Sequence, residues 1–167
     1  GLDKSKPAEI IELSDGANFK IEAKPVVKEI NGNKIRMFAY NEQIPGPLIK
    51  VKQGSTVYIN FKNSLDTETT IHWHGIRLEN AYDGVPNITQ SSIKPGQNFL
   101  YKLQFPDEGV YWYHPHVRED YQQELGLYGN IIVVPENENY YNKVDKEEVL
   151  LLDDINLGNE DIASYAK

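Results

Sequence analysis

The chain has 167 residues with a net charge of −8, no cysteine and 40% hydrophobic residues. That length suits one domain with a modest extension, and the composition argues against disorder. The acidic balance disfavours nucleic acid, which needs a basic face. The missing cysteine excludes disulfides, thiolate zinc sites and a cysteine nucleophile.

Residues 1–17 are polar and mixed and read as a loose arm. Phe19, Ile21 and Ala23 alternate with polar residues as on a half-buried strand. Asn31-Gly32 then separates VVKEI from NKIRMFAY. Both residues tolerate the positive φ of a tight hairpin turn, so a hairpin is expected. Pro45-Gly46-Pro47 breaks the chain before the strand-like runs LIKV and TVYINF. TTIHWHGIRL (69–78), NFLYKLQF (98–105), GVYWYHPH (109–116) and LYGNIIVVP (127–135) also read as strands. REDYQQEL (118–125) reads as a short helix. About eight short strands divided by turn clusters imply an all-β Greek-key sandwich or barrel. Residues 136–147 are polar and read as a linker, and 148–167 as the start of a further domain. In that last part EEVLLLDDI is expected to form a strand, and Asn159 to cap a helix. A strand beginning there has little left to pair with, so the chain is expected to be the first part of a longer protein. It opens GLDKSKPAEI, with neither an initiator Met nor an apolar signal core, and no apolar run reaches the ~18–20 residues of a membrane span.

The four histidines carry the chemistry. All of them fall in two His-x-His pairs, His72/His74 in HWHG and His114/His116 in WYHPH. Random placement gives ~0.1 such pairs in a chain of this size, so two with none left over mark a site. On a strand, residues i and i+2 face one side, with Cα atoms ~6.5–7 Å apart. If the two strands are neighbours, ~4.8 Å apart, the four imidazoles form a two-by-two array. Imidazole suits Cu, Zn, Fe and Ni, and so wide an array is better shaped to serve several adjacent metals than one. Pro115 cannot donate to a ladder, which places His-Pro-His at an edge, a strand end or a bulge. Trp73, Tyr111 and Tyr113 face away from the histidines and read as packing. Asp83, in the turn DGVPN, is a candidate neighbour of the site, and Glu79 and Glu108 have weaker claims.

HWHG, DGVPNITQ, YWYHPH and the GLYGNIIV strand, with IPGPLIKVKQG and KNSL ahead of them, resemble the first (N-terminal) cupredoxin domain of multicopper oxidases, the group that includes laccases. The likeness spans roughly residues 18–135; Gly54-Ser55 stands where the family usually has Gly-Asp. It implies a cupredoxin-type sandwich that supplies half the ligands of a trinuclear copper cluster reducing dioxygen to water. His72 matches the type 2 copper ligand; His74, His114 and His116 match ligands of the type 3 pair. Asp83 matches the acidic residue that helps move protons in many members. Electron donors would be phenols, bilirubin-like molecules or metal ions, and the location secreted, periplasmic or at the cell surface. With no cysteine and no fifth histidine, the chain has neither the family's type 1 copper site nor the cluster's other half. The rest would come from later domains or another subunit, so the chain alone is not expected to act as an oxidase.

Two other readings stay open at this point. His72, His74 and Glu79 resemble part of a cupin ligand set, although Asp66 stands where a glycine is expected. A non-enzymatic copper-binding β-sandwich is the other.

Overall fold

The computed structural model describes residues 1–155, which form two packed sheets. One holds β1 (Ile10–Leu13), β4 (Leu48–Lys52), β9 (Gly129–Val134), β8 (Gly109–His114) and β6 (His72–His74), in the order β1-β4-β9-β8-β6. The other holds β2 (Asn18–Ile30), β3 (Asn33–Tyr40), β5 (Thr56–Asn63) and β7 (Asn98–Gln104), in the order β3-β2-β5-β7. One helix, α1 (Glu119–Gln122), follows β8. The all-β sandwich expected from the turn spacing is therefore present, with nine strands among the described residues.

Period-2 patterning explains the layers. Val57, Ile59 and Phe61 of β5 and Tyr101 and Leu103 of β7 bury one face of their sheet. They meet Ile49 and Val51 of β4, Trp73 of β6, Tyr113 of β8, and Ile131 and Val133 of β9 in the main core. Each such side chain contributes about 1.5–3 kcal/mol by leaving water. The hairpin forms where expected, with φ of 50° at Asn31 and 79° at Gly32. β2 and β3 contribute buried residues on both faces. Ile21, Ala23, Phe38 and Tyr40 serve the main core, while Val26, Met37 and Ala39 form a second cluster with Ile44 and Tyr128.

Three local expectations change. Ile10–Leu13, inside the expected arm, pairs in parallel with β4, Ile10 opposite Leu48 and Leu13 opposite Val51. Four residues in a polar context carry too little periodicity to reveal a partner so distant in sequence. TTIHWHGIRL yields only the three residues of β6. Gly75, at φ 85°, turns the chain out of the strand, and the Ile71 N–H donates to the Tyr101 hydroxyl at 3.0 Å rather than to a ladder. The short helix expected in REDYQQEL is present, as one turn. EEVLLLDDI forms no strand among the described residues; instead Leu151 and Ile155 pack on the second cluster. The helix expected after Asn159 lies outside the described residues.

The topology also explains the separation of the histidine pairs. After β6 the chain crosses to the other sheet to form β7, then returns as β8 and pairs antiparallel with β6. Two motifs 40 residues apart in sequence thus become adjacent strands at one edge of the sheet.

Candidate metal centre

Among the described residues β6 is the edge strand and β8 its only ladder partner, with His72 opposite His114, Trp73 opposite Tyr113 and His74 opposite Trp112. Alternation sends Trp73 and Tyr113 into the core, both fully buried, and leaves His72, His74, Trp112 and His114 on the outer face. β8 ends at His114, so Pro115 sits just past a strand end, where its missing N–H costs no ladder bond. His116 lies beyond it and folds back on the array. The His72 and His116 ring centroids are 4.6 Å apart, those of His72 and His114 5.4 Å, and those of His74 and His114 5.4 Å. All four sequence-derived histidines therefore meet.

Hydrogen bonds fix which nitrogen of each ring is free. The His72 Nδ1 lies 2.8 Å from the Asp83 carbonyl oxygen, and the His114 Nδ1 2.8 Å from the Pro115 carbonyl. A carbonyl only accepts, so both rings donate from Nδ1, and a neutral ring so held leaves Nε2 bare. His116 turns its Nδ1 to the Glu119 carboxylate, with the same outcome. His74 is the exception: its Nδ1 faces the His114 Nε2 at 3.2 Å. Two ligands ~2.0–2.1 Å from one ion at a tetrahedral angle sit ~3.3 Å apart, so this pair has the spacing of two nitrogens on a single metal. One donor atom from each of His72, His74 and His114 falls within 4.8 Å of the others. The donor set fits a late first-row transition ion.

Burial keeps His114 ready for a cation. His114 is 3% exposed, and its imidazole is pushed down to about 4, first by burial and then by repulsion from the other three histidines. It is neutral at neutral pH, the form that binds metal.

Asp83 follows a single 3-10 turn, Asn80–Tyr82, and brings its carboxylate oxygen 3.4 Å from the His72 Nδ1 as well as its carbonyl. Gly84 is required next to it. At φ 76° it presses against β6, and a Cβ there would lie 1.8 Å from the Ile71 carbonyl oxygen. Glu79 is committed elsewhere, paired with Lys102 at 3.2 Å. Glu108 offers its backbone carbonyl to the Tyr111 hydroxyl at 3.0 Å. Tyr113 packs against Trp73 and donates to the Pro47 carbonyl at 2.7 Å; Tyr111 packs on the main core.

Two contributors escaped the sequence reading. Trp112 stacks on the His74 and His114 rings, at 5.0 and 4.0 Å between centroids. Its position two residues before His114 put it on the histidine face, which was a usable signal. Glu119 gave none, because its reach to His116 depends on a bend at residues 116–118.

Comparison with known proteins agrees with this geometry. A family model described as multicopper oxidase matches residues 20–138. Copper resistance protein A of Pseudomonas syringae pv. tomato is 34% identical over 144 residues, 86% of this chain and 23% of the relative. The L-ascorbate oxidase of Nicotiana tabacum is 37% identical over 160 residues, 89% of this chain and 27% of the relative. Among solved structures, a multi-copper oxidase from Pseudomonas thermotolerans superposes with a TM-score of 0.71 at 36% identity, covering 76% of this chain and 31% of that one. The chain spans about a quarter of the length of the curated relatives it matches.

Proposed function

The chain belongs to the multicopper oxidase family as a cupredoxin domain, and on that premise we propose that His72, His74, His114 and His116 hold copper as half of a trinuclear cluster. His72 would serve the type 2 ion, and His74, His114 and His116 the type 3 pair. The observation that carries this reading is the convergence of four imidazoles on one outer sheet face, three with Nε2 bare and the fourth presenting Nδ1. When bound, copper supplies the redox chemistry, the four-electron reduction of dioxygen to water.

The chain's own residues hold and tune the site. The Asp83 and Pro115 carbonyls orient the His72 and His114 rings. On this reading the Asp83 carboxylate, 3.4 Å from the His72 Nδ1, would relay protons to the site. The remaining ligands, and the type 1 copper that delivers electrons, would come from later domains of the same protein or another subunit. Residues 18–135 would form the copper domain, 136–147 a linker and 148–167 the opening of the next domain. The electron donor would be phenolic, bilirubin-like or a metal ion, and the setting secreted, periplasmic or at the cell surface. No helix among the described residues is long and apolar enough to cross a membrane. A cupin-like site has little support, since its fourth ligand, Glu79, is paired with Lys102.

Oxygen uptake tests the division of labour. The chain alone is expected to consume no oxygen with any donor, and activity is expected once the remaining domains are joined to it. Turnover by the chain alone would overturn the half-site reading.

A further inference from the structure

We propose that Glu119 is a positioning residue for copper: its carboxylate fixes the tautomer and orientation of His116 and so presents Nε2 to the cluster. The proposal rests on the assignment of His116 as a ligand. His116 differs from the other rings in how it is held. His72 and His114 make their 2.8 Å contacts to backbone carbonyls, with the Asp83 carboxylate farther from His72 at 3.4 Å, whereas the nearest partner of the His116 Nδ1 is a side-chain carboxylate three residues on. A carboxylate behind a ligating imidazole orients the ring and raises its basicity toward metal.

Glu119 reaches His116 from a fixed platform. Arg118 adopts a left-handed conformation, φ 47°, which reverses the chain after His116 and starts α1. The helix is bolted to the sandwich by Gln122, whose side chain is fully buried. Gln122 donates to the Glu68 carbonyl at 2.8 Å and accepts from the Thr69 hydroxyl at 2.6 Å. Tyr121 packs edge-on against Phe38 at 5.8 Å. On the other side, the His116 N–H donates to the Thr70 hydroxyl at 3.3 Å. Ring and carboxylate thus hang from the same 68–70 segment that leads into β6. The neighbouring acid, Asp120, is engaged in a two-pronged pair with Arg118, both contacts at 3.0 Å, which leaves Glu119 as the acid turned to the histidine.

Two readouts test this, using Glu119→Ala, Glu119→Gln and, as a control, Asp120→Asn. Long-range 1H–15N correlation spectra of the metal-free chain report the tautomer of His116. Titration of the copper-binding protein with a competing chelator reports affinity. Wild type and Asp120→Asn are expected to hold the Nδ1–H tautomer. Glu119→Ala is expected to give a mixture and to weaken copper binding about 10–100-fold. Glu119→Gln keeps an acceptor oxygen, so it is expected to restore the tautomer with part of the affinity. A Glu119→Ala chain that keeps the Nδ1–H tautomer, or the affinity, would overturn the proposal. Failure of wild type to bind copper would instead overturn the ligand assignment, and the tautomer spectra distinguish the two.

Discussion

Trp112 lies nearly flat on His114, with ring centroids 4.0 Å apart and planes 26° from parallel, and the same indole stacks on His74 at 5.0 Å. One residue thus bridges a histidine from each motif. This follows from register: Trp112 sits opposite His74 on the neighbouring strand and two residues before His114 on its own.

Trp112→Leu removes that shelf. We expect a stability loss of about 1–3 kcal/mol, since the indole is half-buried and its stacking adds to its burial. Copper should be held more weakly as well, because two rings gain freedom. Trp112→Phe should recover most of both. Denaturant midpoints and chelator competition measure the two effects; a Leu variant equal to wild type in both would remove Trp112 from the account.

Gly84→Ala probes the contact that seats Asp83 against β6. The added Cβ would meet the Ile71 carbonyl oxygen at 1.8 Å and the His72 nitrogen at 2.9 Å. The strain exceeds the about 1–3 kcal/mol of an unfavourable φ, because backbone must move. We expect severe destabilisation and loss of the bond from His72 to the Asp83 carbonyl. A thermal unfolding scan that places the variant within about 1 kcal/mol of wild type would contradict that close approach.

Much of this site was legible in the sequence because the strand period is short and strict. His-x-His on a strand puts two rings on one face, and the pairing of the two motifs confirmed the array. Pro115 likewise marked a strand end. What period 2 does not carry is long-range pairing: β1 finds β4 across 38 positions, Ile10 opposite Leu48, and no local pattern encodes that choice. Nor does it carry bends. The reach of Glu119 to His116 depends on the left-handed Arg118, a conformation that sequence does not announce. The apolar run EEVLLLDDI has strand composition, yet Leu151 and Ile155 are used as packing against Met37 and Tyr128 without a ladder.

Leu151→Ala tests that packing. Leu151 is half-buried on the second cluster, so a loss of about 1–2 kcal/mol is expected, at the low end for a leucine truncation. Leu152, 93% exposed, provides the control: Leu152→Ala should change stability by less than about 0.5 kcal/mol. Chemical denaturation of both variants decides, and equal losses would contradict the docking of this segment.

The N-terminal segment should respond to acid. Glu42 joins Lys24 and Lys6, at 2.8 and 2.6 Å, and Lys24 also meets Asp3 at 2.6 Å. These contacts, Lys24 first, lower the Glu42 carboxyl from 4.5 to about 2. A carboxyl depressed in the folded state adds stability that is complete above its unfolded value and fades as pH falls through the folded one. Stability should therefore drop between about pH 4.5 and pH 2, and Glu42→Gln should flatten the change in that window. Unfolding midpoints across pH check this, and an unchanged slope in the Gln variant would sink it.

The most direct test of the central claim is anomalous X-ray diffraction at the copper edge from crystals of the copper-loaded protein. The account predicts copper peaks within bonding distance, ~2.0 Å, of the Nε2 atoms of His72, His114 and His116 and the Nδ1 of His74, with His74 and His114 on one ion. Copper bound away from these four rings, or four rings without copper in protein that carries it, would contradict the account.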